Sequence, residues 1–161
     1  MAKKVKSTPR GYRTVTPYLI IKDAASAIGF YKQAFQAKVL VCLSEPSGKV
    51  GHAEIKIGDS RIMLADEYPE LGSRGPQSFG GSPVSILLYV EDCDEMYKRA
   101  IAKGARVVKS MSDQFYGDRA GTVEDPFGHR LDYRNPHGRP DVRRSLETCR
   151  SEIRLEMAQP Y

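Results

Sequence analysis

The chain contains two copies of one pattern, and that repeat limits its folds more than any other feature. Residues 14–39 (TVTPYLIIKDAASAIGFYKQAFQAKV) and 83–107 (PVSILLYVEDCDEMYKRAIAKGARV) each read as an apolar strand, an aspartate, a helix and a new apolar strand. Asp23 and Asp92 stand where an N-cap carboxylate accepts from the first free N–H groups of a helix. Ala24, Ala27, Ile28, Tyr31 and Phe35 recur at the spacing of one helical face, as do Cys93, Met96, Tyr97, Ala100 and Ile101. Gly104 supplies a left-handed stop. Helices this short need a sheet to pack on.

Further strands follow each helix. In the first half they are Val39–Leu43, His52–Ile57 and Arg61–Ala65, parted by turn segments at 45–49 and 58–60. The second half offers Arg106–Lys109, Gly121–Glu124 and His129–Tyr133, with an Asp125-Pro126-Phe127-Gly128 turn before the last. Both halves spell β-α-β-β-β, and the Gly-, Pro- and Ser-rich stretch Glu67–Ser82 reads as a linker. The expected class is α+β: two modules, about 14–66 and 83–136, forming a curved mixed sheet with an open cleft. Beyond them, Val142, Leu146, Cys149, Ile153 and Met157 predict an amphipathic C-terminal helix within 137–161 that covers a sheet or a subunit contact.

At 161 residues one shared core is expected. The longest apolar stretch, Ile86 to Val90, is far too short for a bilayer, and no apolar segment follows the basic N-terminus as a secretory signal requires. No membrane contact and a cytoplasmic location are the expectation. The net charge of +5 is concentrated in residues 1–13, where Lys3, Lys4, Lys6, Arg10 and Arg13 meet no acid. That segment reads as a disordered solvated arm, and without interleaved aromatics or a reading motif it does not point to nucleic acid. Cys42, Cys93 and Cys149 are odd in number and widely spaced, which fits small buried hydrophobes better than disulfides or a thiolate zinc site.

The order of the motifs resembles that of a known superfamily. Thr16-Pro17-Tyr18-Leu19 leads to Asp23, followed by Phe30-Tyr31 and Phe35, Gly51-His52-Ala53-Glu54, Met63-Leu64-Ala65-Asp66 and Val90-Glu91-Asp92. Tyr116-Gly117-Asp118-Arg119 then leads to Asp125-Pro126-Phe127-Gly128-His129. The sequence is similar to the vicinal-oxygen-chelate superfamily of glyoxalases, bleomycin-resistance proteins and extradiol dioxygenases, and to its PhnB-like branch, over about residues 14–136. The resemblance implies paired cups around a small-molecule cleft, a homodimer, and in the metal-dependent members four ligands, two per module. Aligned by motif, those four positions fall on Thr16, Met63, Ser85 and Asp132. Two hydroxyls, a thioether and one carboxylate are a poor set for a divalent ion, so no cofactor is expected, with a divalent metal as the alternative.

With Thr16 facing the cleft, strand alternation turns Tyr18 and Ile20 inward, together with Ser85, Leu87 and Tyr89, Arg61, Met63 and Ala65, and Arg130, Asp132 and Arg134. His52, Glu54 and Lys56 share the polar face of their strand. His52 and Glu54 are the candidate catalytic pair, a histidine titrating near neutrality beside a carboxylate; a hydrogen-bonded structural histidine gives the same pattern. The three arginines are candidates to hold an anion, or to pair with Glu54 or Asp132. Tyr116 and Arg119 read as a loop over the cleft mouth, and His129 as a turn-securing or solvent-facing residue. The leading expectation is a small-molecule binder without a catalytic metal. Against it stand a metal-dependent lyase, isomerase or dioxygenase, proton transfer by His52 and Glu54, and a scaffold acting through the C-terminal helix.

Overall fold

The computed structural model describes residues 7–136, and the expected C-terminal helix lies outside them. The first module consists of β1 (Tyr18–Ile21), α1 (Ala24–Phe35), β2 (Lys38–Ser44), β3 (Val50–Ile57) and β4 (Ser60–Asp66). The second consists of β5 (Ser85–Tyr89), α2 (Cys93–Ala102), β6 (Arg106–Asp113), β7 (Asp118–Glu124) and β8 (Arg130–Pro136). Each module forms its own four-stranded mixed sheet, in the orders β1-β4-β3-β2 and β5-β8-β7-β6. The first and last strands of each module run parallel, and the remaining pairs are antiparallel. The repeat is kept to the residue: Tyr18 stands opposite Met63 as Leu87 stands opposite Asp132. Among the described residues no helix is long and apolar enough to cross a membrane.

Local chemistry accounts for the helices. Asp23 accepts from the Ser26 amide at 3.0 Å and Asp92 from the Glu95 amide at 2.9 Å, so both N-caps form as expected. Asp23 takes a left-handed conformation, φ 67°, one that aspartate tolerates better than most residues. A feature not foreseen holds the turn from β1 into α1. Asp66, at the end of β4, accepts from the amides of Asp23 and Ala24 at 3.0 Å each and from the buried Val50 amide at 2.6 Å. One carboxylate thus ties the start of α1 to the neighbouring strands.

The modules share one hydrophobic core, to which the aromatic residues of α1 contribute. Phe30 meets Phe127 with centroids 6.3 Å apart, and Phe35 meets Tyr133 at 6.1 Å. Tyr31 donates to the buried Asp125 at 2.6 Å, and Arg99 of α2 donates to the Ala34 carbonyl at 2.8 Å. These contacts join the halves inside one chain, while their sheets keep no mutual hydrogen-bonded pairing among the described residues.

Several sequence expectations need correction. The strands β6 and β7 extend beyond the predicted ends, because a tight turn closed by Gln114 N–H to Asp118 O at 2.8 Å lets pairing continue to Asp113 and Arg119. Arg119 therefore lies on a strand, not in a loop, and its guanidinium grips Asp94 of α2 at 2.5 and 2.7 Å and Asp113 at 2.9 Å. The linker itself contains short 3₁₀ turns at Pro69–Leu71 and Pro76–Phe79, in keeping with its Gly- and Pro-rich sequence. Cys93 is buried as expected but Cys42 is exposed, because β2 is a sheet edge whose residues are all exposed. Ile101 is exposed as well, since α2 packs mainly through Cys93, Tyr97 and Ala100.

Candidate functional site

The pleat of β3 puts Ala53, Ile55 and Ile57 into the core and leaves His52, Glu54 and Lys56 on the other face, as alternation requires. On that face Tyr18 Oη and His52 Nδ1 lie 3.1 Å apart, within hydrogen-bonding distance. His52 Nε2 is 3.6 Å from Glu54 Oε1, a charge contact longer than a hydrogen bond. Arg61 Nη1 donates to Glu54 Oε2 at 3.1 Å. Tyr12, which the sequence did not single out, completes the cluster. Its ring lies on the Arg61 guanidinium, centroid to Cζ 4.4 Å.

Glu54 is only 9% exposed, yet burial raises its carboxyl less than its neighbours lower it. The Tyr12 hydroxyl first, then His52 and Arg61, hold its carboxyl below the usual range, against an opposing push from burial. The neighbouring Glu54 carboxylate in turn raises the Tyr12 phenol. A carboxylate held in this way accepts hydrogen bonds well and takes up a proton poorly. Of the candidate pair, Glu54 is therefore a poor base.

On the second sheet both oxygens of Asp132 accept hydroxyl bonds. Ser85 donates to Oδ2 at 2.6 Å and Thr122 to Oδ1 at 2.5 Å. Neither arginine of β8 pairs with it: Arg130 approaches Glu124 at 3.9 Å, and Arg134 approaches Asp118 at 3.6 Å while lying 5.5 Å from the Tyr116 ring centre. Register explains this, because Arg130 sits across from Glu124. Thr16 donates to the Arg13 carbonyl at 3.3 Å, and Met63 brings only a thioether. The four positions expected from the resemblance thus present one carboxylate, which already accepts from two hydroxyls, and no imidazole. Among the described residues no three His, Cys, Asp or Glu side chains gather as a metal-holding group. These residues do not fit a divalent ion.

Two grooves flank the edge strand β5, the first of them also bordered by β1. One, of about 1120 Å³, lies by the first residues of β5 and brings together Tyr18, Ser85, Leu87 and Arg130 under linker residues that include Arg74, Phe79 and Val84. The other, of about 910 Å³, lies by the last residues of β5 and gathers Thr16, Arg61, Leu87 and Tyr89. His52 and Glu54 line neither groove, although their neighbours Tyr18 and Arg61 line one each. Met63 and Asp132 stand across the strand pairs from Tyr18 and Leu87, and Tyr116, in the β6–β7 turn, lines neither groove.

His129 is buried, not solvent-facing, and it also lines the first groove. Its Nδ1 has no hydrogen-bond partner and lies 3.7 Å from Asp125 Oδ2. Burial lowers its pKa, which the Asp125 charge partly offsets; burial raises that of Asp125, against the bonds from Tyr31 and two backbone amides. Among the residues missed from sequence, Tyr12 had only an aromatic in a basic segment as its signal, and Asp66 only its place in a motif.

A sequence profile described as Glyoxalase/Bleomycin resistance protein/Dioxygenase superfamily matches residues 13–133. The chain is 44% identical over 125 residues to the Uncharacterized protein Rv0887c of Mycobacterium tuberculosis, covering 76% of this chain and 74% of that one. Its fold is similar to that of TioX from Micromonospora sp. ML1, at a TM-score of 0.61 and 23% identity over 77% of this chain and 98% of that one. The PhnB protein from Bacillus cereus superposes with a TM-score of 0.60 at 16% identity over 76% and 99% of the two chains. At such identities these two structures speak for the fold alone. With the repeat, the paired four-stranded sheets and the profile in agreement, the chain belongs to the glyoxalase/bleomycin resistance protein/dioxygenase superfamily.

Proposed function

We propose that this protein binds a small, largely apolar or aromatic molecule in the groove between β1 and β5, by shape and stacking and without a catalytic metal. The observation that carries this reading is the apolar surface left to solvent there: Phe79 is 69% exposed, Val84 68%, Tyr18 49% and Leu87 38%. Apolar walls with a few convergent polar groups, here Ser85, Arg130 and Arg74, are the usual make-up of a small-molecule site. The poor donor set at Thr16, Met63, Ser85 and Asp132 supports the metal-free form.

A thermal-shift screen of planar aromatic compounds, with metal analysis of the purified protein by mass spectrometry, tests it. We expect hits whose shift is lost in Leu87→Asp and stoichiometric metal in none of the preparations. A library without hits, or one bound Ni, Zn, Mn or Fe per chain, would overturn it. A second reading, proton transfer without a metal, draws on the contact of Tyr18 with His52 and the nearby Glu54. In that case His52→Ala abolishes turnover while ligand affinity persists.

A homodimer fits the same proposal. The edge strand β2 exposes Val39, Val41 and Leu43, and the edge strand β6 exposes Val107 and Val108, surface and free backbone groups that a second copy would cover. A reducing, cytoplasmic setting suits the exposed free thiol of Cys42.

A further inference from the structure

The linker between the modules is clamped at both flanks. Gly75 is buried, and a Cβ there would stand 2.7 Å from the Ile20 carbonyl of β1, so no side chain fits between linker and strand. Its amide and the Ser78 hydroxyl, the latter at 2.6 Å, both donate to Glu67 Oε1. On the other flank Gln77 Nε2 donates to the Pro126 carbonyl at 2.9 Å, and a Cβ on Gly128 would stand 3.0 Å from Pro76. Held against β1 and against the turn before β8, the segment brings Arg74 and Phe79 to the rim of the groove of about 1120 Å³.

Charge in that groove is one-sided. Arg74 and Arg130 line it, and no aspartate or glutamate does. The other ionisable residues on its walls are Tyr18 and His129, and a histidine there is neutral or cationic. Neither arginine is closely neutralised. Arg74 forms no ion pair among the described residues, and the Glu67 carboxylate in its vicinity is bonded to Gly75 and Ser78. Arg130 lies 3.9 Å from Glu124, whose other oxygen accepts from Arg106 at 3.0 Å.

Two guanidiniums beside exposed apolar walls are complementary to a flat apolar body that ends in an anion, since a guanidinium fork matches the two oxygens of a carboxylate. A cationic guest would meet two like charges, and a neutral one would leave both unused. We propose that the guest of this groove is an aromatic carboxylate, its ring against Phe79, Val84 and Leu87 and its charge held by Arg74 and Arg130. The inference rests on the binding function proposed above and adds to it the charge of the ligand.

The test is calorimetric titration of the full chain with 2-naphthoate and with 2-naphthamide, which has the same rings and no charge. Naphthoate should bind about tenfold more tightly than the amide, because each ion pair at an exposed site contributes about threefold. Arg74→Gln and Arg130→Gln should each remove about threefold of that advantage, and the double variant all of it, with amide affinity unchanged. Both arginines are exposed, so glutamine is tolerated at either place. Added salt should weaken naphthoate alone, and Leu87→Asp should abolish binding of the amide, as expected for a guest in this groove. Equal affinity for the two probes, or a naphthoate affinity that neither arginine substitution lowers, overturns the anionic guest and leaves the groove as a site for neutral molecules. Binding of neither probe overturns both readings, and amide binding that survives Leu87→Asp places the guest elsewhere and overturns them as well.

Discussion

Replacing Asp66 by Asn should cost this fold about 3 kcal/mol, although the change swaps a single oxygen for an NH₂ group. Each carboxylate oxygen of Asp66 is committed: Oδ1 to the Asp23 and Ala24 amides, Oδ2 to the Val50 amide. An asparagine that keeps its oxygen toward α1 presents N–H to the N–H of Val50, which is 1% exposed and has no water to turn to. Losing that bond to a charged acceptor accounts for about 1.5–3 kcal/mol. The two bonds at the start of α1 persist with a neutral acceptor, at roughly half strength. At about 2–4 °C per kcal/mol for a chain of this size, the melting temperature should fall by about 6–12 °C.

The pseudo-equivalent residue is a built-in control. Asn135 donates a single bond to the Glu91 carbonyl in a less buried place, and Asn135→Ala should cost less than about 1 kcal/mol. Thermal melts followed by far-UV circular dichroism, together with urea titrations, measure both. If Asp66→Asn loses no more than Asn135→Ala, the account of Asp66 as the tie between α1 and the strands is wrong.

The buried histidine gives a pH signature. Burial lowers the pKa of His129 in the folded state, so its contribution is fully present above the ordinary value of 6.5 and is lost as pH falls toward the folded value. Asp125 is shifted the other way: its folded form favours the proton, and stability gains as pH falls through its raised value toward the ordinary carboxylate range. Urea midpoints between pH 7.5 and pH 5 should fall for the unaltered chain and be level or rising for His129→Gln; equal slopes would dismiss His129 as the cause. At the edge of sheet 1, Val41→Lys should shift a dimer toward monomer in light scattering without lowering the melting temperature. An unchanged mass would place any subunit contact elsewhere.

The features written into neighbouring residues were legible in the sequence. Caps at Asp23 and Asp92, the apolar faces of the two helices, and the inward and outward alternation of β1, β3, β4, β5 and β8 depend on spacings of two to four residues, set by the pitch of a helix or the pleat of a strand. Repetition of that local pattern was enough to indicate a doubled module. Strand alternation also put His52 and Glu54 on one face. What tertiary structure decided involves partners distant in sequence. Tyr12 meets Arg61, Asp66 meets the amides of Ala24 and Val50, Tyr31 meets Asp125, and Arg119 meets Asp94. No periodicity encodes such pairs, because a polar side chain finds its partner only once two elements pack and water is excluded between them. For the same reason the sequence offered a list of inward-facing residues, while the packing of β1, β5 and the linker distributed them between two grooves and left one corner to the chain's own tyrosine.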